Sequence, residues 1–148
     1  ESILVKPQKG IEVKTWGGAF PTFLNFSNID IDQPQGVAYQ LTNGNYIHIT
    51  GGNLTDGAGN IINLSTTLVS IDGLEASTFA GNGIVVLAGI GYFKILNNRL
   101  YNITGTAIIV SAGASDYYMI NHNDCSVGNG GKISDGGTGV NKYITENL

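Results

Sequence analysis

The feature that most constrains this chain is that it repeats. Five segments align without gaps: FLNFSNIDI (23–31), YIHITGGNL (46–54), LVSIDGLEA (68–76), YFKILNNRL (92–100) and YYMINHNDC (117–125). NKYITENL (141–148) opens a sixth, and successive starts lie 23, 22, 24, 25 and 24 residues apart. A second short apolar run follows in each unit, as VAYQL, IINLS, GIVVLA, AIIVS and KIS, after turn residues rich in Gly, Asn and Thr. Each unit therefore holds at least two strands. A unit of this size cannot enclose its own apolar face, so the units must stack.

Alternation fixes which side chains face inward. In the first strand these are Leu24 and Phe26, Ile47 and Ile49, Val69 and Ile71, Phe93 and Ile95, and Tyr118 and Ile120. Asn25, His48, Ser70, Lys94 and Met119 then point outward. In the second strand Ile62, Ile84, Ile108 and Ile133 form one inward column, with Leu64, Val86 and Val110 beside it. Strands stacked at about 4.8 Å turn each such position into a continuous column. The pattern predicts an all-β parallel β-helix with coils of 22 to 25 residues and no helix. A leucine-rich repeat would need its own Leu spacing and a helical return, and an antiparallel sandwich would not keep aligned positions through five units.

One domain is expected over 1–148: a less regular coil or cap over 1–22 and regular coils over 23–148. Gly10, Ile11 and Val13 look like the second strand of a preceding coil, residues 3–5 like an earlier rung or cap, and Pro7 and Pro21 like strand edges or corners. The chain opens on Glu and stops just after a new rung begins, which predicts a piece of a longer protein whose last coil is covered by something else.

Charged residues make up only 12%, and 22 glycines supply turns. The net charge of −4 and seven basic residues argue against nucleic-acid binding, which needs a clustered cationic surface. No apolar run reaches the roughly 20 residues of a membrane span. Cys125, the single cysteine, aligns with Ile31, Leu54 and Leu100, which predicts a small buried core residue.

Phrases such as YFKILNNRLYNITGTAIIV and YYMINHNDCSVGNGGKI, with Asn at the corner after the first strand, resemble the right-handed parallel β-helix proteins of the pectate-lyase-like superfamily over residues 23–148. The resemblance is closest to bacteriophage tailspikes and related surface spikes. It implies a homotrimeric, receptor-contacting shaft at the virion surface or in an extracellular setting, with a host-surface polysaccharide as partner and no cofactor. Two other classes stay open: a fragment of a polysaccharide lyase or glycoside hydrolase, and a bacterial adhesin or autotransporter passenger. Neither a paired Asp-Asp segment of the polygalacturonase kind nor a calcium-binding carboxylate cluster is present.

Two columns are candidate sites. Asp30, Asn53, Glu75, Arg99 and Asp124 align, and Glu75 and Asp124 would stand two rungs, about 9.6 Å, apart. That separation is near the upper end for an inverting glycosidase, with Arg99 as a ligand contact. The competing reading is a surface charge ladder in which Arg99 offsets two acids. The second column is Phe23, Tyr46, Leu68, Tyr92 and Tyr117. If exposed, Tyr46, Tyr92 and Tyr117 could stack on sugar rings or bury a subunit contact; if corner geometry turns them in, they extend the core. His48 and His122 fall in different columns, so no metal pair is predicted from them. Asn98 and Asn123 align as a structural hydrogen-bonding stack, with His122 beside Asn97 at the corner. Asn25, Asn53, Asn63 and Asn102 match the glycosylation pattern, as expected by chance in a chain so rich in Asn. Asp30-Ile31-Asp32 and Gly81-Asn82-Gly83 are assigned to turns, and Trp16 has no assigned place.

Overall fold

The computed structural model describes residues 10–13 and 22–148. Residues 3–5, Pro7, Trp16 and Pro21 lie outside the described residues. Everything described is strand or turn, stacked in parallel as a β-solenoid of about five coils.

Each coil passes through three sheets. Sheet 1 holds β2 (Thr22–Ser27), β5 (Asn45–Thr50), β8 (Val69–Asp72), β11 (Phe93–Leu96), β14 (Tyr118–Asn121) and β16 (Lys142–Thr145). Sheet 2 holds β3 (Ile31–Asp32), β6 (Asn53–Thr55), β9 (Glu75–Phe79) and β12 (Arg99–Ile103). Sheet 3 holds β1 (Ile11–Val13), β4 (Tyr39–Leu41), β7 (Ile62–Leu64), β10 (Ile84–Val86), β13 (Thr106–Gly113) and β15 (Gly131–Gly137). The first and second strands of each repeat are therefore sheets 1 and 3. Sheet 2 is the third side, short and inserted between them. Asp30-Ile31-Asp32, expected in a turn, instead contributes Ile31–Asp32 to β3, because Ile31 fills the same buried column as Leu54 and Cys125.

The register follows the repeat. Ile49, Ile71, Ile95 and Ile120 stack in sheet 1, and Ile62, Ile84, Ile108 and Ile133 in sheet 3. All but Ile133, which is half-buried, are fully enclosed. Ile11 and Val13 pair with Tyr39 and Leu41, so a strand of sheet 3 precedes residue 23. Cys125 is buried, and burial pushes its thiol up to about 11.

The corners turn through the left-handed region. After sheet 1 it is occupied by Asn28, Gly51, Gly73, Asn97, His122 and Glu146, with φ between 51 and 69°. After sheet 2 it is occupied by Gln33, Asp56, Thr78, Asn102 and Gly128, with φ between 52 and 67°. A turn this sharp leaves inward backbone groups without a strand partner. Asn side chains take them: Asn98 Nδ2 donates to Asn123 Oδ1 and Asn123 Nδ2 to Asn147 Oδ1, both at 2.9 Å, while Asn98 Oδ1 accepts the Leu74 N–H. The predicted pair is thus three Asn residues long.

The apolar core changes character in the last coil. Asp135 takes the column of Leu64, Val86 and Val110, and Lys142 takes that of Phe93 and Tyr118. The two meet at 2.7 Å, and the Tyr118 hydroxyl donates to Asp135 at 2.5 Å. Burial opposes ionisation of Asp135, but hydrogen bonds from Lys142, Tyr118 and the Gly137 N–H outweigh it and hold the carboxyl below the usual range. A depressed carboxylate stabilises the fold above its unfolded pKa, and that contribution is lost as pH falls through the folded pKa. Asp135→Ala should therefore cost about 1 to 2 kcal/mol at neutral pH. The gap to wild type should close in acid, as read from melts across pH.

Candidate functional site

The backbone conformation of one column sets the site. Phe23, Tyr46, Leu68, Tyr92 and Tyr117 enter sheet 1 with φ between 54 and 58°. For a bulky residue this is a true outlier, since the Cβ crowds the following carbonyl. Each of these residues also precedes an inward position of its strand, so its side chain projects outward. Phe23 is 76% exposed, Tyr92 57%, Tyr117 51% and Tyr46 45%, while Leu68 is half-buried. Phe23 and Tyr46 stack at 4.9 Å between centroids, and Tyr92 and Tyr117 at 5.0 Å with planes parallel. Of the alternatives left open for this column, the structure has the exposed stripe.

Beside the stripe, the outer face of sheet 1 forms a groove of about 730 Å³. Its floor is the outward row of that sheet, His48, Ser70, Lys94, Met119 and Tyr143; one wall is the column of rings. Asn141 and Lys142 close one end. The lining carries Lys94, Lys142 and His48 but no carboxylate. Asp116, next to Tyr117, is turned to Asn141, whose side-chain amide and backbone N–H lower its pKa.

Glu75 and Arg99 lie on sheet 2, with Asp124 bridged to its last strand, and none of the three lines this groove. Glu75 pairs with Arg99 and Arg99 with Asp124 in adjacent rungs. Arg99 reaches Glu75 at 3.3 Å and Asp124 at 3.9 Å, and its guanidinium lies over the Tyr101 ring. Asp30 accepts the Asn53 N–H further along the column. Ser126 donates to Asp124 through side chain and backbone, and these bonds, with Arg99, hold its carboxyl below the usual range. All three side chains are well exposed. Glu75→Gln should change stability by under about 1 kcal/mol in denaturant titration.

No protein-family model matches the chain, and neither a curated protein nor a solved structure does. The site is therefore read from its own geometry. Among the described residues no cluster of His, Cys, Asp and Glu is placed to hold a metal ion. His122 pairs with Glu146 at 2.7 Å at a corner, far in register from His48. Sequence reasoning had Tyr46, Tyr92 and Tyr117 in one column but did not join to them Ser70, Lys94, Met119 and Tyr143. The signal was there: those residues are the outward positions of the same strands.

Proposed function

We propose that this chain is a polysaccharide-contacting segment of a surface spike, its ligand lying along sheet 1 against Tyr46, Tyr92 and Tyr117. The observation that carries this reading is the choice of residue at the first corner. Left-handed backbone costs a non-glycine residue about 1 to 2 kcal/mol. The other two corners meet it largely with Asn, Gly, Asp and other polar residues, but this one places Phe, Tyr, Leu, Tyr and Tyr there. Stacking between neighbouring rings returns about 0.5 to 1.5 kcal/mol per pair, which offsets the strain only in part. Strain of this kind gathers at binding sites. Flat apolar faces beside a floor of hydroxyl, imidazole and ammonium groups suit sugar rings, which present C–H on their faces and hydroxyls at their edges.

The resemblance to pectate-lyase-like β-helices supports a viral tailspike at the virion surface, with a host-surface polysaccharide as receptor, as the finer form of this reading. Assembly into a trimer then has to leave the groove open. Burial of the stripe in a subunit contact is the competing use of the same exposed rings. Titration with capsular and lipopolysaccharide-derived glycans separates the two. Binding is expected, and Tyr92→Asn should weaken it about ten-fold by removing one stacked ring and its neighbour's support. Sedimentation as a trimer that excludes glycan would overturn the proposal.

A further inference from the structure

The column of rings has one gap. Phe23 and Tyr46 stack on each other, Tyr92 and Tyr117 stack on each other, and Leu68 stands between the pairs. Its two neighbours in the stack are Tyr46 one rung below and Tyr92 one rung above. Two rungs separate those rings, about 9.6 Å. That is twice the 4.9 and 5.0 Å seen within the stacked pairs. Leu68 shares their backbone conformation, with φ of 58°, so its side chain leaves in the same direction. A leucine is much shorter than a tyrosine, and beyond its methyl groups the outer halves of the two rings face an open notch one ring thick. The notch opens into the groove, where Ser70 lies on the same rung as Leu68, His48 one rung below and Lys94 one rung above.

We infer that this notch is a subsite for a single acidic sugar, its ring held between Tyr46 and Tyr92 over Leu68 and its carboxylate held by Lys94. The inference rests on the polysaccharide reading above and narrows it to a uronate-containing chain. Ring-on-ring spacing selects a flat six-membered unit, since one such unit continues the existing stack at its own period. Charge selects the acid. Although the chain carries a net charge of −4, no carboxylate lines the groove, and Lys94 has no ion pair among the described residues. A Lys ammonium without a carboxylate of its own is free to make a charge-assisted bond to a ligand. Ser70 and His48 stand where ring hydroxyls would fall.

The test uses uronate-containing oligosaccharides and the same oligosaccharides after chemical reduction of their carboxyl groups, titrated against the whole chain by calorimetry. Wild type should bind the acidic forms about ten-fold more tightly than the reduced ones. Lys94→Gln should erase that preference while keeping the weaker binding. Leu68→Tyr should complete the ring column, in a backbone conformation that Tyr46 and Tyr92 already adopt, and abolish binding of both forms with melting temperature retained. Leu68→Tyr binding as wild type, or equal affinity for acidic and reduced forms, would overturn the notch. If glycans bind and only Tyr92→Asn weakens them, the groove stands and the notch falls. If no glycan binds, both fall.

Discussion

Ile95→Asp is expected to unfold the chain. Ile95 is fully enclosed between Ile71 and Ile120 in sheet 1, at the centre of the stack. It belongs to the buried hydrophobic cluster, and the aliphatic neighbours in its column offer a carboxylate no partner. Burying that charge costs several kcal/mol, and the alternative of protonating it still leaves a polar group without partners. Total stability of a domain this size is roughly 5 to 15 kcal/mol. Strands on both sides depend on the same column, so damage there is not confined to one coil. Loss of the cooperative melt and of β-type circular dichroism is the expected result. A native-like melt would refute the register.

The second large effect is expected from Asn123→Leu. Asn123 is 1% exposed and is bonded on every side. Its Oδ1 accepts from the Asn98 backbone N–H and from Asn98 Nδ2, and its own Nδ2 donates to the Ile95 carbonyl at 2.9 Å and to Asn147 Oδ1. Leucine has the same branched heavy-atom skeleton but satisfies none of these groups. Each buried donor or acceptor left unpaired costs about 1 to 3 kcal/mol, so a combined loss of about 3 kcal/mol or more is expected. A fall in urea midpoint at unchanged slope is the signature. A loss below about 1 kcal/mol would mean that water replaces the side chain, and that the Asn stack is incidental to the corner.

The sequence made sheets 1 and 3 plain because each strand there repeats two inward aliphatic positions at a fixed offset. Sheet 2 was harder to see. Its strands share one inward column through every rung, Ile31, Leu54, Ala76, Leu100 and Cys125, of mixed sizes, and a second, Phe79 and Ile103, in only two of them, so little alternation repeats. The left-handed corners after sheets 1 and 2 hold Asn, Gly and Asp, residues that announce such turns. The corner before sheet 1 holds Tyr, Phe and Leu, which propensity assigns to strands. That is why the exposure of Tyr46, Tyr92 and Tyr117 could not be decided from alternation. The Asp135–Lys142 pair was invisible for a related reason: SDGGTG looks like a loop, and only the register with Val110 and Tyr118 places the two residues at the ends of those columns. The charge column of Glu75, Arg99 and Asp124 was legible as a column. Its pairing distances needed coordinates.

The central claim is that the rings of sheet 1 are held in a strained backbone for the sake of a ligand rather than for the fold. Tyr92→Asn tests it directly when thermal stability and glycan titration are measured on the same preparation. Asn tolerates φ near 54° better than Tyr, and that relief opposes the loss of the Tyr92–Tyr117 stack. The account predicts stability within about 1 kcal/mol of wild type together with loss of most glycan affinity. A variant that loses well over 2 kcal/mol yet binds glycan as tightly as wild type would show the rings to be structural, and would contradict the account.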